Sequence, residues 1–289
     1  MHGVAPYIAR MIAASSSRES ESRAWCKHVM FREAKGFYFA SRFLPRPKRL
    51  AHEALYGVFR TADDLADEPG FAQSERRVGL ASIREDLANI RSPSYESAAP
   101  WFPAVRAAFA RYPISIEDAL RVVDGCATEV DGVPIDSIDD LERCASMITG
   151  GVGRCGVVVL GASDPDSIRR AEQIGIAMQL TNMLRDTEHD RRLGRDYLAF
   201  ARHGEGDLLD VKRAIAQRAH ACYAEGVLLA ARLPNDGSRV TVMLAVDLYR
   251  ALRERLERQR FDLSAGRPSI GRAELVWRAL RTNLAALSR

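Results

Sequence analysis

The sequence predicts an all-α fold, a single-domain helical bundle with its active site in a central cavity, and two observations carry that expectation. Apolar residues recur at helical spacing almost throughout the 289 residues, and no region alternates apolar and polar positions between hairpin turns. The breaks between periodic segments are short, which makes neighbouring helices antiparallel and lets inward side chains build a site between them. Helices are expected over 21–34, 47–67, 74–91, 100–111, 115–131, 137–162, 165–190, 207–232, 238–260 and 271–287. ArgSerProSer (91–94), TyrPro (112–113), GlyValPro (132–134), SerAspPro (163–165) and LeuProAsnAspGly (233–237) end them, because proline removes a helical donor and Gly, Asn, Asp and Ser favour turns. Residues 1–22, closing on a run of serines and charges, are expected as a loose N-terminal segment. Residues 23–289 are expected as one helical domain, since no linker, low-complexity tract or repeat of ~20–50 residues divides them.

With 47% hydrophobic and 28% charged residues the chain can bury a large core and is not disordered. Its net charge of +4 does not point to nucleic acid. Of 42 basic residues only Lys27, Lys35, Lys48 and Lys212 are lysine, and no basic run is interleaved with aromatics in the way that tracks a phosphate backbone. Cys26, Cys126, Cys144, Cys155 and Cys222 are odd in number and lack CxxC spacing, which argues against a disulfide framework and a zinc site and for a cytoplasmic location. The first residues lack a signal-peptide pattern. The longest apolar run, Cys155 to Ser163, is far below the ~20 residues that span a bilayer, so membrane contact is expected to be peripheral at most.

Two acidic segments carry the chemistry. The first runs from Arg60 through Asp63, Asp64 and Asp67; the second, from Gln179 to Asp190, sets Asn182, Asp186 and Asp190 at a four-residue step with Arg185 among them. Positions three and four apart share a helix face, so each segment presents a carboxylate edge. Each also adjoins a strongly apolar stretch, 55–59 and 176–180, which turns such an edge toward an interior rather than toward solvent. Carboxylates with substrate phosphates filling the remaining positions are how Mg²⁺ is usually held. Arginine forks suit the phosphate oxygens. The expected metal ligands are therefore Asp63, Asp64, Asp67, Asn182, Asp186 and Asp190, with Mg²⁺ the cofactor and Mn²⁺ able to substitute. Arg60 and Arg185 are expected to grip a leaving diphosphate, and Tyr56, one turn before Arg60, to steady a cation with its ring.

Together with 37–45, 54–67, GlyGlyValGly (150–153) and GlyArgAspTyrLeu (194–198), these motifs resemble the squalene/phytoene synthase family over about residues 25–275. The resemblance implies the all-α prenyl-synthase fold, metal-dependent ionisation of an allylic prenyl diphosphate and carbon–carbon bond formation from the cation. It also implies that Lys35, Tyr38, Gln179, Asn182, Arg195, Tyr197, Cys144 and Phe261 line the substrates. The expected partners are a prenyl diphosphate and a second small molecule, in a monomer or homodimer.

Three positions depart from the family pattern by losing a hydroxyl: Gly36 for Ser or Thr, and Cys144 and Phe261 for Tyr. Ala199 stands where Pro often follows TyrLeu. These losses spare the diphosphate machinery and fall where a second prenyl chain would react. The expectation leans to an aromatic, carbazole-like acceptor in secondary metabolism; the alternative is head-to-head condensation of two prenyl diphosphates. A non-enzymatic scaffold of the same fold is the third possibility, disfavoured because such a chain would be expected to shed buried carboxylates that no metal compensates.

Overall fold

The computed structural model describes residues 4–67, 70–203, 207–264 and 266–287, which form α-helices and one π-helical turn and no strand. In chain order these are α1 (Val4–Glu33), α2 (Lys35–Ser41), α3 (Arg46–Asp67), α4 (Gln73–Ala88), α5 (Phe102–Arg111), α6 (Ile116–Val130), α7 (Ile138–Ala145), the π turn (Ser146–Gly150), α8 (Gly151–Leu160), α9 (Pro165–Arg192), α10 (Ala199–His203), α11 (Leu208–Tyr223), α12 (Glu225–Ala230), α13 (Ser238–Arg258) and α14 (Arg272–Leu287). The all-α expectation is met, and several starts fall where capping chemistry puts them. Ser115, Ser137 and Asp164 each accept a backbone N–H from the first turn that follows, at 3.0, 3.1 and 3.1 Å, a cap that stabilises by about 1 kcal/mol.

The departures have local causes. Helix α1 reaches back to Val4, so residues 4–22, expected to be loose, are helical; within its described side chains Ser17 bonds Glu21 at 2.9 Å and Arg23 pairs with Glu19. Helix α2 occupies a stretch expected as a connection. The single helix expected over 137–162 is α7, the π turn and α8, and that expected over 207–232 divides at Ala224 into α11 and α12. By length and composition Ile138–Leu160 could cross a membrane, yet half of it is buried within the protein, as a core helix is.

Burial divides the interior into two large clusters. One gathers α3 to α6 around Leu80, Trp101, Phe102, Ile114 and Val122; the other gathers α7, α9, α11 and α13 around Leu141, Leu180, Leu184, Ile215 and Leu256. Helix α8 lies between them, giving Cys155 and Val159 to the first and Val157 and Leu160 to the second. The first acidic segment ends α3 and the second runs along α9, so the two belong to different clusters. Close backbone approach fixes α8 and the π turn on α9: a Cβ at Gly175 would sit 2.2 Å from the Thr149 carbonyl oxygen, and one at Gly153 would sit 2.3 Å from that of Ala171. Only glycine fits at such distances.

Candidate active site

On α3 the residues Ala54, Leu55, Val58, Phe59, Ala62 and Ala66 are buried, whereas Tyr56, Arg60, Asp63, Asp64 and Asp67 are half-buried along one stripe. Arg60 pairs with Asp63 at 3.0 Å and Asp64 at 2.5 Å. From α9, Arg185 engages both oxygens of Asp186, at 3.1 and 2.6 Å. Asn182 lies beside Tyr249 of α13, and its Oδ1 is buried without a partner. A direct ion pair between Arg195 and Asp67 joins the segment after α9 to the end of α3.

The site is short of positive charge. Burial, then Asp67, pushes Asp63 up to about 7 despite Arg60; burial, then Asp186, pushes Asp190 up to about 7. Burial works against the charge on Arg60, Arg185 and Arg195, yet the aspartates hold all three guanidinium groups above their ordinary range. Burial also raises the Tyr56 phenol, so it stays protonated. Among the described residues no three His, Cys, Asp or Glu side chains stand close enough to hold a metal ion unaided. An all-oxygen donor set with an orphaned Asn182 Oδ1 is the pattern for an ion whose shell a phosphate completes.

Three contributors carry no sequence motif. Glu129 on α6 is raised by burial; it accepts the Tyr197 hydroxyl at 2.8 Å and the Cys144 thiol at 3.5 Å. Tyr249 comes from α13, its ring 5.7 Å from that of Phe37. Arg267 reaches Asp186 at 3.0 Å from beyond α13, where Arg260 and Phe261 turn the chain with left-handed φ of 53° and 57°. Each arrives from an element remote in sequence, so no local spacing announces it.

Of the remaining expected residues, Gln179 is half-buried on α9 one turn before Asn182, and Cys144, its thiol held protonated by burial, sits beside Glu129. Lys35 is exposed at the start of α2, and Tyr38 packs edge-on against Phe31 with Arg42 over its ring; neither shares a hydrogen bond with the acidic segments. Phe261 is 4% exposed and belongs to the apolar core with Leu256 and Leu198.

The model of the squalene/phytoene synthase family matches residues 31–274. The chain belongs to this family. Within it, the chain is 32% identical over 211 residues to a presqualene diphosphate synthase of Zymomonas mobilis, covering 70% of this chain and 68% of that one. It is 30% identical over 274 residues to a phytoene synthase of Arthrospira platensis, covering 84% and 86%. Against phytoene synthase of Mycobacterium tuberculosis it is 35% identical over 165 residues, which are 57% of this chain and 53% of the relative, so the chain spans about half that protein's length. In fold it resembles a dehydrosqualene synthase, with a TM-score of 0.83 at 23% identity over 95% of this chain and 100% of the other.

Proposed function

We propose that this family member is a prenyltransferase that joins two prenyl diphosphates head to head, with Mg²⁺ as cofactor. The observation that carries it is the pair of carboxylate faces on α3 and α9, each with its own arginine and each with an aspartate that burial, and then a neighbouring carboxylate, push to about 7. A diphosphate arriving with divalent cations supplies the countercharge. Asp63, Asp64, Asp67, Asn182, Asp186 and Asp190 would hold the ions; when bound, Mg²⁺ offsets the charge that develops as diphosphate leaves. Arg60, Arg185 and Arg267 offer guanidinium groups to the departing oxygens. Core side chains of the two clusters keep water from the allylic cation. C1 of that cation then bonds across the C2–C3 double bond of a second prenyl diphosphate, and loss of a proton closes a cyclopropane.

The relatives named phytoene and presqualene diphosphate synthases support a second prenyl diphosphate over an aromatic acceptor. So does the site itself. Phe261, one of the positions without the family's hydroxyl, lies in the core, and Tyr56, Tyr197 and Tyr249 bring hydroxyls to the acidic segments. Such an enzyme is expected to work in the cytoplasm as a monomer or homodimer, with at most peripheral membrane contact. The test is incubation with prenyl diphosphates of different chain length and Mg²⁺, with and without electron-rich aromatics, read by mass spectrometry. Coupled prenyl dimers without an acceptor are expected; prenylated aromatics alone would overturn the proposal.

A further inference from the structure

Helix α14 packs on α13 by one side only. Leu275 and Ala279 join Ala40, Leu244 and Leu248 in a small third apolar cluster. The opposite side sets Arg272, Val276 and Leu280 in one column at four-residue steps and Ala273, Trp277 and Arg281 in the next, and all six are exposed. Val276, Trp277 and Leu280 are 47, 55 and 61% exposed, although a surface helix ordinarily turns its large apolar side chains toward the core. The face is also basic. Arg281 lies over the Trp277 ring, 4.8 Å from its centre, and shares Asp247 with Arg278, while Arg278 and Arg255 share Glu274. Three guanidinium groups thus meet two carboxylates, and Arg272 has no ion-pair partner among the described residues. The surplus runs along the sequence: residues 250–289 hold ten arginines and four acidic residues of the chain's 42 basic and 38 acidic, so this stretch is net +6 and the remainder net −2.

We propose that this face of α14 docks on a bilayer whose surface carries anionic lipid headgroups. Val276, Trp277 and Leu280 enter the boundary between headgroups and acyl chains, and Arg272 and Arg281 pair with lipid phosphates. Charge complementarity selects that occupant. In a two-fold contact between copies of this chain the same basic face would meet itself, like charge against like. The docked helix is tied to the acidic site by the segment just before it, where Arg267 pairs with Asp186 at 3.0 Å. The inference goes beyond the proposed function and stands independently of which acceptor the enzyme uses.

Binding of the full chain to vesicles of phosphatidylcholine alone, and of phosphatidylcholine with about a third phosphatidylglycerol, is measured by co-sedimentation and tryptophan emission. Wild type is expected to bind the anionic vesicles about tenfold or more tightly than the neutral ones, with a blue shift in emission, and to release them as salt is raised. Trp277→Ser with Leu280→Ser, and separately Arg272→Glu, should each weaken that binding about tenfold or more. Their melting temperatures should match wild type, since all three side chains are exposed. Val227→Ser with Leu228→Ser, which removes an exposed apolar pair on α12, should bind as wild type does. Equal binding to neutral and anionic vesicles, no binding to either, or undiminished binding by the α14 variants would overturn the proposal. An equal loss in the α12 variant would overturn it too, by showing that any exposed apolar pair serves. A dimer in sedimentation velocity that Trp277→Ser with Leu280→Ser abolishes would assign the face to a second copy of this chain instead.

Discussion

Asp63 and Asp186 are each clasped by an arginine while facing further carboxylates, a crowding of like charge that the proposed metal–diphosphate complex would relieve. Asp63→Ala or Asp186→Ala is expected to lower turnover by about 10²-fold or more with the helical circular dichroism unchanged, the scale for removing a stabiliser of transition-state charge. Normal turnover in either would remove that residue from the metal site. The burial of Asp63, with Asp67 beside it, makes a pH prediction. The Asp63 carboxyl rises from 3.8 to about 7 on folding, so the folded chain holds a proton that the unfolded chain has released between those values. Its cost to stability is therefore absent below pH ~4, grows as pH rises and is complete above ~7. Asp63→Asn should melt higher than wild type at pH 8 in the absence of ligand, with the gap closing by pH 4; a constant gap would mean that charge is not the cause. At this scale the sequence was legible where chemistry repeats at helical spacing, as in Asp63, Asp64 and Asp67 or Asn182, Asp186 and Asp190. Glu129, Tyr249 and Arg267 were not, because nothing near them in sequence hints that packing delivers them to the same place.

Helices were legible wherever a capping residue or proline punctuates them, as at Ser115, Ser137 and Asp164. The π turn was not, since Ser146–Gly150 continues the apolar pattern on either side and the extra residue shows only in the hydrogen bonds. Tertiary partners hold it: Ser146 and Arg121 both bond Glu172 of α9, at 2.5 and 3.2 Å, and Arg154 bonds Glu172 and Asp118 at 3.1 and 2.6 Å. Its carbonyl at Thr149 lies over Gly175, so Gly175→Ala forces backbone apart rather than a side chain. That substitution is expected to cost about 1–3 kcal/mol or more, the overpacking range, measured by urea denaturation. Gly156→Ala, whose added methyl meets nothing within 4 Å, is the control and should be near neutral or stabilising. Equal effects of the two would show that close approach to α9 is unimportant.

Between the two apolar clusters α8 forms a seam, and the acidic segments lie on opposite sides of it, linked directly by Arg195 and Asp67. A bound metal–diphosphate complex would add further links across that seam. Inorganic diphosphate with Mg²⁺ at a hundred times its dissociation constant should add about 2.7 kcal/mol to stability and raise the melting temperature, while diphosphate with EDTA should not. Equal shifts with and without the metal would show that arginine alone holds the anion. The all-α class was legible because a helical period is local. The division into two clusters was not, since it depends on which helices α8 touches on each side.

A ligand that bridges the two acidic segments would tie the lifetime of the protein to its supply of precursor. Binding only to the folded chain, it would lower the share of unfolded copies, the form on which proteases act. Starving a cell of prenyl diphosphates would then thin out this enzyme at constant synthesis, so that its abundance follows metabolic flux with no dedicated regulator.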